Sequence, residues 1–199
     1  MLIEMISYAL SGFFMKLSDD GLDEQNQLLY SILMGILCAI FTGLAVYLSS
    51  DATCVFISIL VGNFLALKID SINHIITALV FLVILLIIGV HNYSILLLII
   101  CIIAAFIDEI GNDKADKNEL NNDGNLSLID KFFKYRFTLK VVIFILSILG
   151  LINIFIPNFI DSMYCFNPMT CIYFFLFEIC YILAEIFSAK IYGMLSHIF

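Results

Sequence analysis

The amino-acid sequence predicts an all-α membrane protein, a bundle of about seven transmembrane helices. The chain has 199 residues, of which 63% are hydrophobic and 13% are charged, and its mean hydropathy is +1.10. A water-soluble domain has about 45–50% apolar and about 25% charged residues. The apolar residues also form separate runs, and the polar residues collect between them. The composition therefore excludes soluble enzymes and disordered tails, and it predicts a single integral membrane domain over residues 1–199.

Each predicted helix is an apolar run bounded by polar residues. A transmembrane helix needs about 20 apolar residues, with a lower limit near 17. Seven runs approach or exceed this length, at residues 1–17, 28–48, 54–67, 74–90, 93–107, 138–160 and 170–189. The third and fifth runs are short. We expect them to extend into their flanks and cross completely, or one of them to be a re-entrant segment.

The basic residues predict the orientation of these helices. Residues 108–137 form the longest polar segment, and we interpret it as a cytoplasmic loop because lysine and arginine are enriched on the cytoplasmic side. Counting crossings from this loop places the other lysines on the same side: Lys16, Lys68, Lys140 and Lys190. We therefore expect a protein of the plasma membrane, with its N-terminus outside and its C-terminus in the cytoplasm.

The charge balance bears on the partners of the protein. The formal net charge is −8 and the isoelectric point is about 4.6. Proteins that bind nucleic acids carry basic surfaces, so nucleic acid is excluded as a partner, whereas the composition requires a lipid bilayer. We interpret the acidic residues as cation ligands or as solvated residues at helix boundaries.

An acidic motif directly follows the first apolar run. It contains Asp19, Asp20 and Asp23. If the helix continues through the motif, side chains three and four positions apart share a face, and like charges on one face repel unless a cation lies between them. Mg²⁺ binds hard oxygen ligands, commonly one or two carboxylates together with substrate phosphates. The motif therefore predicts a Mg²⁺ site, and a solvated helix boundary is the alternative.

A second acidic motif follows the fifth run in the same way. It contains Asp108, Glu109 and Asp113, of which the last two stand four residues apart. Four crossings separate the two motifs, so both face the same compartment, and we expect all six carboxylates to be metal ligands. Phosphate oxygens bound to such a metal also need cations. The basic residues at nearby predicted helix ends are Lys68, Arg136 and Lys140.

The two acidic motifs resemble those of a known family of membrane enzymes. The sequences Asp19-Asp20-Gly21-Leu22-Asp23 and Asp108-Glu109-Ile110-Gly111-Asn112-Asp113 are similar to the two aspartate-rich motifs of the UbiA-type intramembrane prenyltransferases. The resemblance covers about residues 1–160. It implies an all-helical bundle whose motifs bind an isoprenyl diphosphate through Mg²⁺. The implied function is a Mg²⁺-dependent transferase that acts on a prenyl diphosphate at the cytoplasmic face of the membrane.

Polar residues within the apolar runs support a different function. Glu178 lies near the middle of the last run, and Glu185 follows seven residues later on the same face. Ionisable groups at membrane depth are costly unless they face the bundle interior, where they are paired or protonated. Together with Asn63 and Asn153, they suggest a small transporter coupled to protons or cations.

A third hypothesis is a non-catalytic assembly or accessory protein of the membrane. Such a protein needs only apolar surfaces and small residues that allow helices to approach closely. The stripe of Gly35, Ala39 and Gly43 has this spacing. We therefore expect these residues to be packing positions.

Overall fold

A computed structural model describes residues 1–90, 93–121, 125–157 and 159–195. In these ranges the chain has eight α-helices, one short 3-10 turn and no strand, which confirms the predicted all-α class. The helices are α1 (Leu2–Asp23), α2 (Leu28–Leu48), α3 (Ser50–Leu65), α4 (Ile72–Ile88), α5 (Ile95–Asn121), α6 (Leu128–Lys134), α7 (Phe137–Phe155) and α8 (Pro168–Leu195). The 3-10 turn at Ser162–Tyr164 precedes α8.

The helices follow the predicted apolar runs, with one main difference. The polar segment 108–137, predicted to be a loop, is largely helical where it is described, because α5 continues to Asn121 and α6 follows it. Residues 122–124 of this segment lie outside the described residues. The polar end of α5 is held by side-chain contacts with α6, which hydropathy alone does not indicate.

Membrane-spanning length divides the helices into two groups. In the described ranges, α2, α5, α7 and the segment Ser162–Met194, which contains α8, are long and apolar enough to cross a membrane. The helices α3 and α4 are apolar but shorter, with 16 and 17 residues. These features are compatible with an integral membrane protein.

The internal contacts of the chain divide it into two compact units. Unit 1 comprises Met1–Ser50, Asp70–His91 and Ile172–Phe199, so that it contains α1, α2, α4 and most of α8. Unit 2 comprises Asp51–Ile69 and Asn92–Cys171, so that it contains α3, α5, α6 and α7. Each predicted acidic motif therefore belongs to a different unit.

Small residues set the helix spacing in unit 1. A Cβ atom on Gly35 would lie 2.0 Å from Thr77 Oγ1, and one on Gly43 would lie 2.4 Å from Ile84 Cγ2. These contacts join α2 to α4 and confirm that the glycine stripe is a packing surface. Gly12 of α1 approaches the backbone of α8, since a Cβ there would lie 2.2 Å from the carbonyl oxygen of Phe177.

Unit 2 uses small residues in the same manner and adds a half-buried carboxylate. A Cβ on Gly62 of α3 would lie 2.7 Å from the Cβ of Ala105 on α5. At the start of α3, Asp51 Oδ2 accepts hydrogen bonds from the backbone N–H of Asn167 and the hydroxyl of Thr170, both at 2.7 Å. Asp51 thus binds the N-terminal end of α8, where free N–H groups favour an anion.

Candidate functional site

The first acidic motif lies in unit 1, where its carboxylates bind different neighbours. Asp20 is 4% exposed, and its Oδ1 lies 3.0 Å from the Lys16 ammonium one turn earlier. Asp19 instead points to α4, where its Oδ1 lies 3.1 Å from Nε2 of His74. Asp23 is exposed near the end of α1. Asp19 and Asp20 are therefore each paired with a different partner within the unit.

Lys16 connects the first motif to α8. Its Nζ lies 3.5 Å from Glu185 Oε1 and 5.5 Å from the centre of the Tyr181 ring. The Glu185 side chain is 56% exposed, whereas that of Lys16 is 15% exposed, so the expectation that Glu185 faces the bundle interior is only partly met. The i, i+4 spacing of Lys16 and Asp20 was a sequence signal for this pair.

The second acidic motif lies in unit 2, and its first residue, Asp108, binds the first turn of α7. The two carboxylate oxygens of Asp108 accept hydrogen bonds from the backbone N–H groups of Thr138, at 2.8 Å, and Leu139, at 2.7 Å. These groups belong to the first turn of α7, where the N–H groups have no partner within the helix. Asp108 is 2% exposed and thus caps α7 from another helix.

Glu109, the next residue, is bound by an arginine at the junction of α6 and α7. Arg136 Nε lies 2.9 Å from Glu109 Oε1, and Nη2 donates to Oε2 at 3.2 Å. Two parallel bonds of this kind fix the geometry of both groups. Glu109 is 6% exposed, so the pair lies at the edge of the unit interior.

The backbone of Arg136 is strained. Its φ of 48° and ψ of 54° are left-handed values, which cost about 1–2 kcal/mol for a residue with a Cβ atom. The neighbouring contacts keep this conformation, because Asp108 binds the next turn of α7 and Glu109 binds the Arg136 side chain. Strain of this type commonly occurs at functional sites.

The remaining residues of this cluster make two further contacts. Lys68, which follows α3, forms an ion pair with Asp113 of α5. Lys140 Nζ donates to the carbonyl oxygen of Tyr135 at 2.6 Å and lies 5.1 Å from the centre of the Phe137 ring. Two of the three predicted phosphate-binding cations are thus paired with predicted metal ligands. We call Asp108, Glu109, Asp113, Lys68 and Arg136 the unit 2 charge cluster.

Contacts of α6 hold the polar end of α5 beside this cluster. Asn118 Nδ2 donates to Asp130 Oδ1 at 2.7 Å, and Lys134 forms an ion pair with Glu119. Hydrogen bonds from Ser127 and then Asn118 hold the pKa of the Asp130 carboxyl below its ordinary value, while the bond to Glu119 raises the pKa of Lys134. The ionised form of Asp130 therefore stabilises α6, and this contribution is lost only as pH falls below about 4.

The polar residues assigned to a transport site are distributed over both units. Glu178 is half-buried in α8 and belongs to unit 1. Asn63 and Asn153 belong to unit 2, where Asn153 Oδ1 accepts a hydrogen bond from the N–H of Ile160 at 3.3 Å. Asn153 also lines a hollow of about 220 Å³ between α7 and the start of α8. The transport site stays a prediction.

The metal-binding capacity of the carboxylates depends on the number of ligands required. In the part of the chain that the structure describes, no three or more His, Cys, Asp and Glu side chains form a group that could hold a metal ion. Mg²⁺, however, is often held by one or two carboxylates and completes its shell with water and substrate phosphates. Glu109 and Asp113 provide hard oxygen donors of this kind beside two cations.

Comparisons with known proteins do not identify a relative. The chain matches no protein-family model, no curated protein and no solved structure. The resemblance of the acidic motifs to UbiA-type prenyltransferases therefore stays a prediction.

Proposed function

We propose that the protein is a Mg²⁺-dependent transferase that acts on a lipid diphosphate, and specifically a prenyl diphosphate as the motif resemblance implies. One observation carries this proposal: Arg136 binds Glu109 and Lys68 binds Asp113 in the unit 2 charge cluster. Carboxylates are ligands for Mg²⁺, and cations are ligands for phosphate oxygens. A magnesium diphosphate can therefore exchange for both ion pairs and satisfy all four charges.

The strain at Arg136 supports the same assignment. The left-handed conformation ends α6, as that of the residue after a helix often does, and glycine or asparagine would adopt it at lower cost. The conformation of Arg136 places its guanidinium group on Glu109. We infer that the arginine is required at this position for its planar, bidentate hydrogen-bond donors, which match a phosphate as well as a carboxylate.

The proposed reaction is transfer of the prenyl group to an acceptor. The bond between the prenyl carbon and the diphosphate oxygen breaks, and its electron pair leaves with the diphosphate. The acceptor nucleophile forms the new bond to carbon and releases its proton. Arg136, Lys68 and Lys140 would bind phosphate oxygens and stabilise the charge that develops on them. Bound Mg²⁺ would supply further stabilisation of the leaving group.

The carboxylates have separate parts in this proposal. Glu109 and Asp113 would hold the metal in unit 2, and Asp19, Asp20 and Asp23 would form the second set of metal ligands implied by the motif resemblance. Asp108 is assigned to the same set by its motif, but its two hydrogen bonds to α7 also make it a positioning residue for Arg136 and Lys140.

The proposed membrane topology has seven crossings. They are α1, α3 and α4 in addition to α2, α5, α7 and α8. In unit 2, Lys68 follows α3 and contacts the polar end of α5, which supports a crossing by α3. In unit 1, Asp19 near the end of α1 contacts His74 near the start of α4. Each contact joins residues that this topology places on one side of the membrane, and the lysines near both motifs favour the cytoplasmic side of the plasma membrane, with the N-terminus outside.

Thermal unfolding in detergent tests the proposed function. The melting temperature should rise with Mg²⁺ and inorganic pyrophosphate together, since a ligand at a hundredfold excess over Kd stabilises the folded state by about 2.7 kcal/mol. Arg136→Gln should remove most of this rise. Lys131→Gln is the matched control, because it removes an exposed cation of α6 and should keep the response.

Two outcomes would overturn the proposal. One is an unchanged melting temperature in EDTA, in Mg²⁺ and in Mg²⁺ with pyrophosphate or farnesyl diphosphate. The other is a rise that Arg136→Gln and Lys131→Gln reduce equally, since this would indicate a general charge effect and not a site.

A non-catalytic assembly or accessory role is the second candidate. The observation that favours it is the internal pairing of the acidic motifs, in which Asp20, Asp108 and Glu109 are each buried and bound by residues of the same unit. In this role the charges would only connect helices. The protein would then copurify with a membrane partner, and its stability would not respond to magnesium pyrophosphate.

A further inference from the structure

A buried cluster of neutral oxygen atoms lies in unit 1, where α1, α2 and α4 meet. We call it the serine–asparagine cluster, and it consists of Ser18, Ser31, Asn73 and Thr77. The hydroxyl of Ser18 donates to the carbonyl of Ser31 at 2.9 Å, and the hydroxyl of Ser31 donates to the carbonyl of Ser18. Asn73 Nδ2 donates to the carbonyl of Ser18 at 3.3 Å and to its hydroxyl at 3.4 Å. The cluster is therefore organised around Ser18.

Two oxygen atoms of this cluster have no hydrogen-bond partner among the described residues. They are Oδ1 of Asn73, whose residue is 1% exposed, and Oγ1 of Thr77. Asn73 and Thr77 stand four residues apart on α4, so they share a face. A buried polar atom without a partner costs about 1–3 kcal/mol, and two on one face of a helix require an explanation.

Gly35 of α2 lies against two of the three hydroxyls of the cluster, those of Thr77 and Ser18. A Cβ atom there would lie 2.0 Å from Thr77 Oγ1 and 3.1 Å from Ser18 Oγ. Any other residue at this position would therefore separate the two hydroxyls. The glycine permits the approach of three helices and at the same time concentrates their oxygen atoms.

The donor chemistry indicates the ligand. The unpartnered atoms are oxygens, and the amide N–H of Asn73 already binds Ser18, so the cluster has an excess of electron-pair donors. Such a set favours a hard cation. Ca²⁺ and Mg²⁺ sites normally include carboxylates, whereas carbonyl and hydroxyl oxygens alone suit a monovalent ion. The nearest acid in sequence, Asp19, pairs with His74.

We propose that the serine–asparagine cluster binds a monovalent alkali cation. The ion would be held by Asn73 Oδ1 and Thr77 Oγ1, with Ser18 as the third contributor. It would join α4 to α1 and α2 at the level of the first acidic motif, because Ser18 and Asn73 directly precede Asp19 and His74. This site is separate from the proposed Mg²⁺ site in chemistry, since none of its donors is charged.

The test is thermal unfolding of the full chain in detergent with EDTA, so that the proposed Mg²⁺ site makes no contribution. NaCl, KCl and choline chloride are compared at equal ionic strength. The melting temperature should rise saturably with Na⁺ or K⁺ and not with choline. Thr77→Val replaces the hydroxyl by a methyl group of similar size, and it should raise the concentration needed for half of the effect by about tenfold or more.

Two control variants make the result specific. Thr77→Ser keeps the hydroxyl and should keep the response to alkali cations. Ser147→Ala removes a hydroxyl on α7 that is also buried and without a partner among the described residues, and it should leave the response unchanged.

The proposal is overturned if the melting temperature is the same in alkali and choline salts, which would mean that only a buried water binds the cluster. It is also overturned if Thr77→Val retains the full response. If Thr77→Val does not fold, binding of radioactive Na⁺ to the wild type decides the question, and the absence of saturable binding near one ion per chain overturns the proposal.

Discussion

At the residue scale, two acidic residues of this protein bind the N-terminal ends of other helices. Asp51 binds the start of α8, and Asp108 binds the first turn of α7. A helix N-terminus has unpaired N–H groups and a partial positive charge, which a carboxylate satisfies. In a membrane protein this matters more than in water, because no solvent reaches the buried N–H groups. An acidic residue near an apolar run can thus be a helix cap supplied by a distant segment.

The cap predicts the effect of a conservative substitution. Asp108→Asn keeps the shape of the side chain but can accept from only one of the two N–H groups of α7 well. The free energy of unfolding in EDTA should fall by about 1–2 kcal/mol, the usual effect of losing a cap. Asp116→Asn, at an exposed position of α5, should change it by less than about 0.5 kcal/mol.

Chemical denaturation monitored by circular dichroism measures this difference, because the chain has no tryptophan for a fluorescence measurement. The outcome would differ if Asp108 were a metal ligand without a structural role. In that case Asp108→Asn would leave the stability in EDTA unchanged, or raise it by relieving repulsion, and would alter only the response to Mg²⁺.

At the element scale, glycines determine which helices become neighbours. Glycines lie at close contacts between helices in both units: Gly35 faces α4, Gly12 faces α8 and Gly62 faces α5. In a bilayer, helices associate through close packing and not through the hydrophobic effect, so small residues have a large influence. The spacing of Gly35 and Gly43 was readable from the sequence, but the helix that they contact was not.

Alanine substitutions at Gly12 and Gly193 provide a matched test of this packing. A Cβ on Gly12 would meet the backbone carbonyl of Phe177 at 2.2 Å, and a backbone atom cannot rotate away, so α1 and α8 would have to separate. Gly12→Ala should lower the free energy of unfolding by about 1–3 kcal/mol. A Cβ on Gly193 would meet no atom of the described residues within 4 Å, so Gly193→Ala should be neutral or stabilising, as alanine is the better helix former.

Denaturant titration of both variants in the same detergent measures the two changes in the free energy of unfolding. An equal loss of stability in the two variants would show that a general effect such as altered detergent contact, and not the approach of α1 to α8, explains the lower stability of Gly12→Ala.

At the scale of the whole molecule, the number of crossings separates two topologies. If only α2, α5, α7 and α8 cross the membrane, the segment between α3 and α4 lies opposite residue 117. If α1, α3 and α4 also cross, it lies on the same side. The ion pair between Lys68 and Asp113 in unit 2 favours the second topology, because the two residues follow α3 and the apolar part of α5.

Cysteine accessibility distinguishes these topologies. In a background without the six native cysteines, Asp70→Cys and Lys117→Cys should react with an impermeant reagent from the same side, and Met163→Cys from the opposite side. All three positions are exposed. Labelling of Asp70→Cys together with Met163→Cys would rule out the seven-crossing topology.

The sequence by itself determined the properties that depend on neighbouring residues. Hydropathy over about 20 residues predicts the helices, and the four-residue spacing of small residues predicts the glycine stripe. The ion pair of Lys16 and Asp20 has the same spacing. Such patterns are local, so they are visible without a fold. The polar end of α5 was missed because its helical conformation depends on α6, through contacts such as that of Asn118 with Asp130.

Only the tertiary structure decided the partners of the acidic motifs. Asp19 binds a histidine 55 residues away, Asp108 binds N–H groups about 30 residues away, and Glu109 binds an arginine 27 residues away. A cluster of carboxylates in a sequence has the same appearance whether a metal ion, a helix end or an arginine neutralises it, because each supplies positive charge to the same oxygens. The choice depends on which group the folded chain brings within about 3 Å of them.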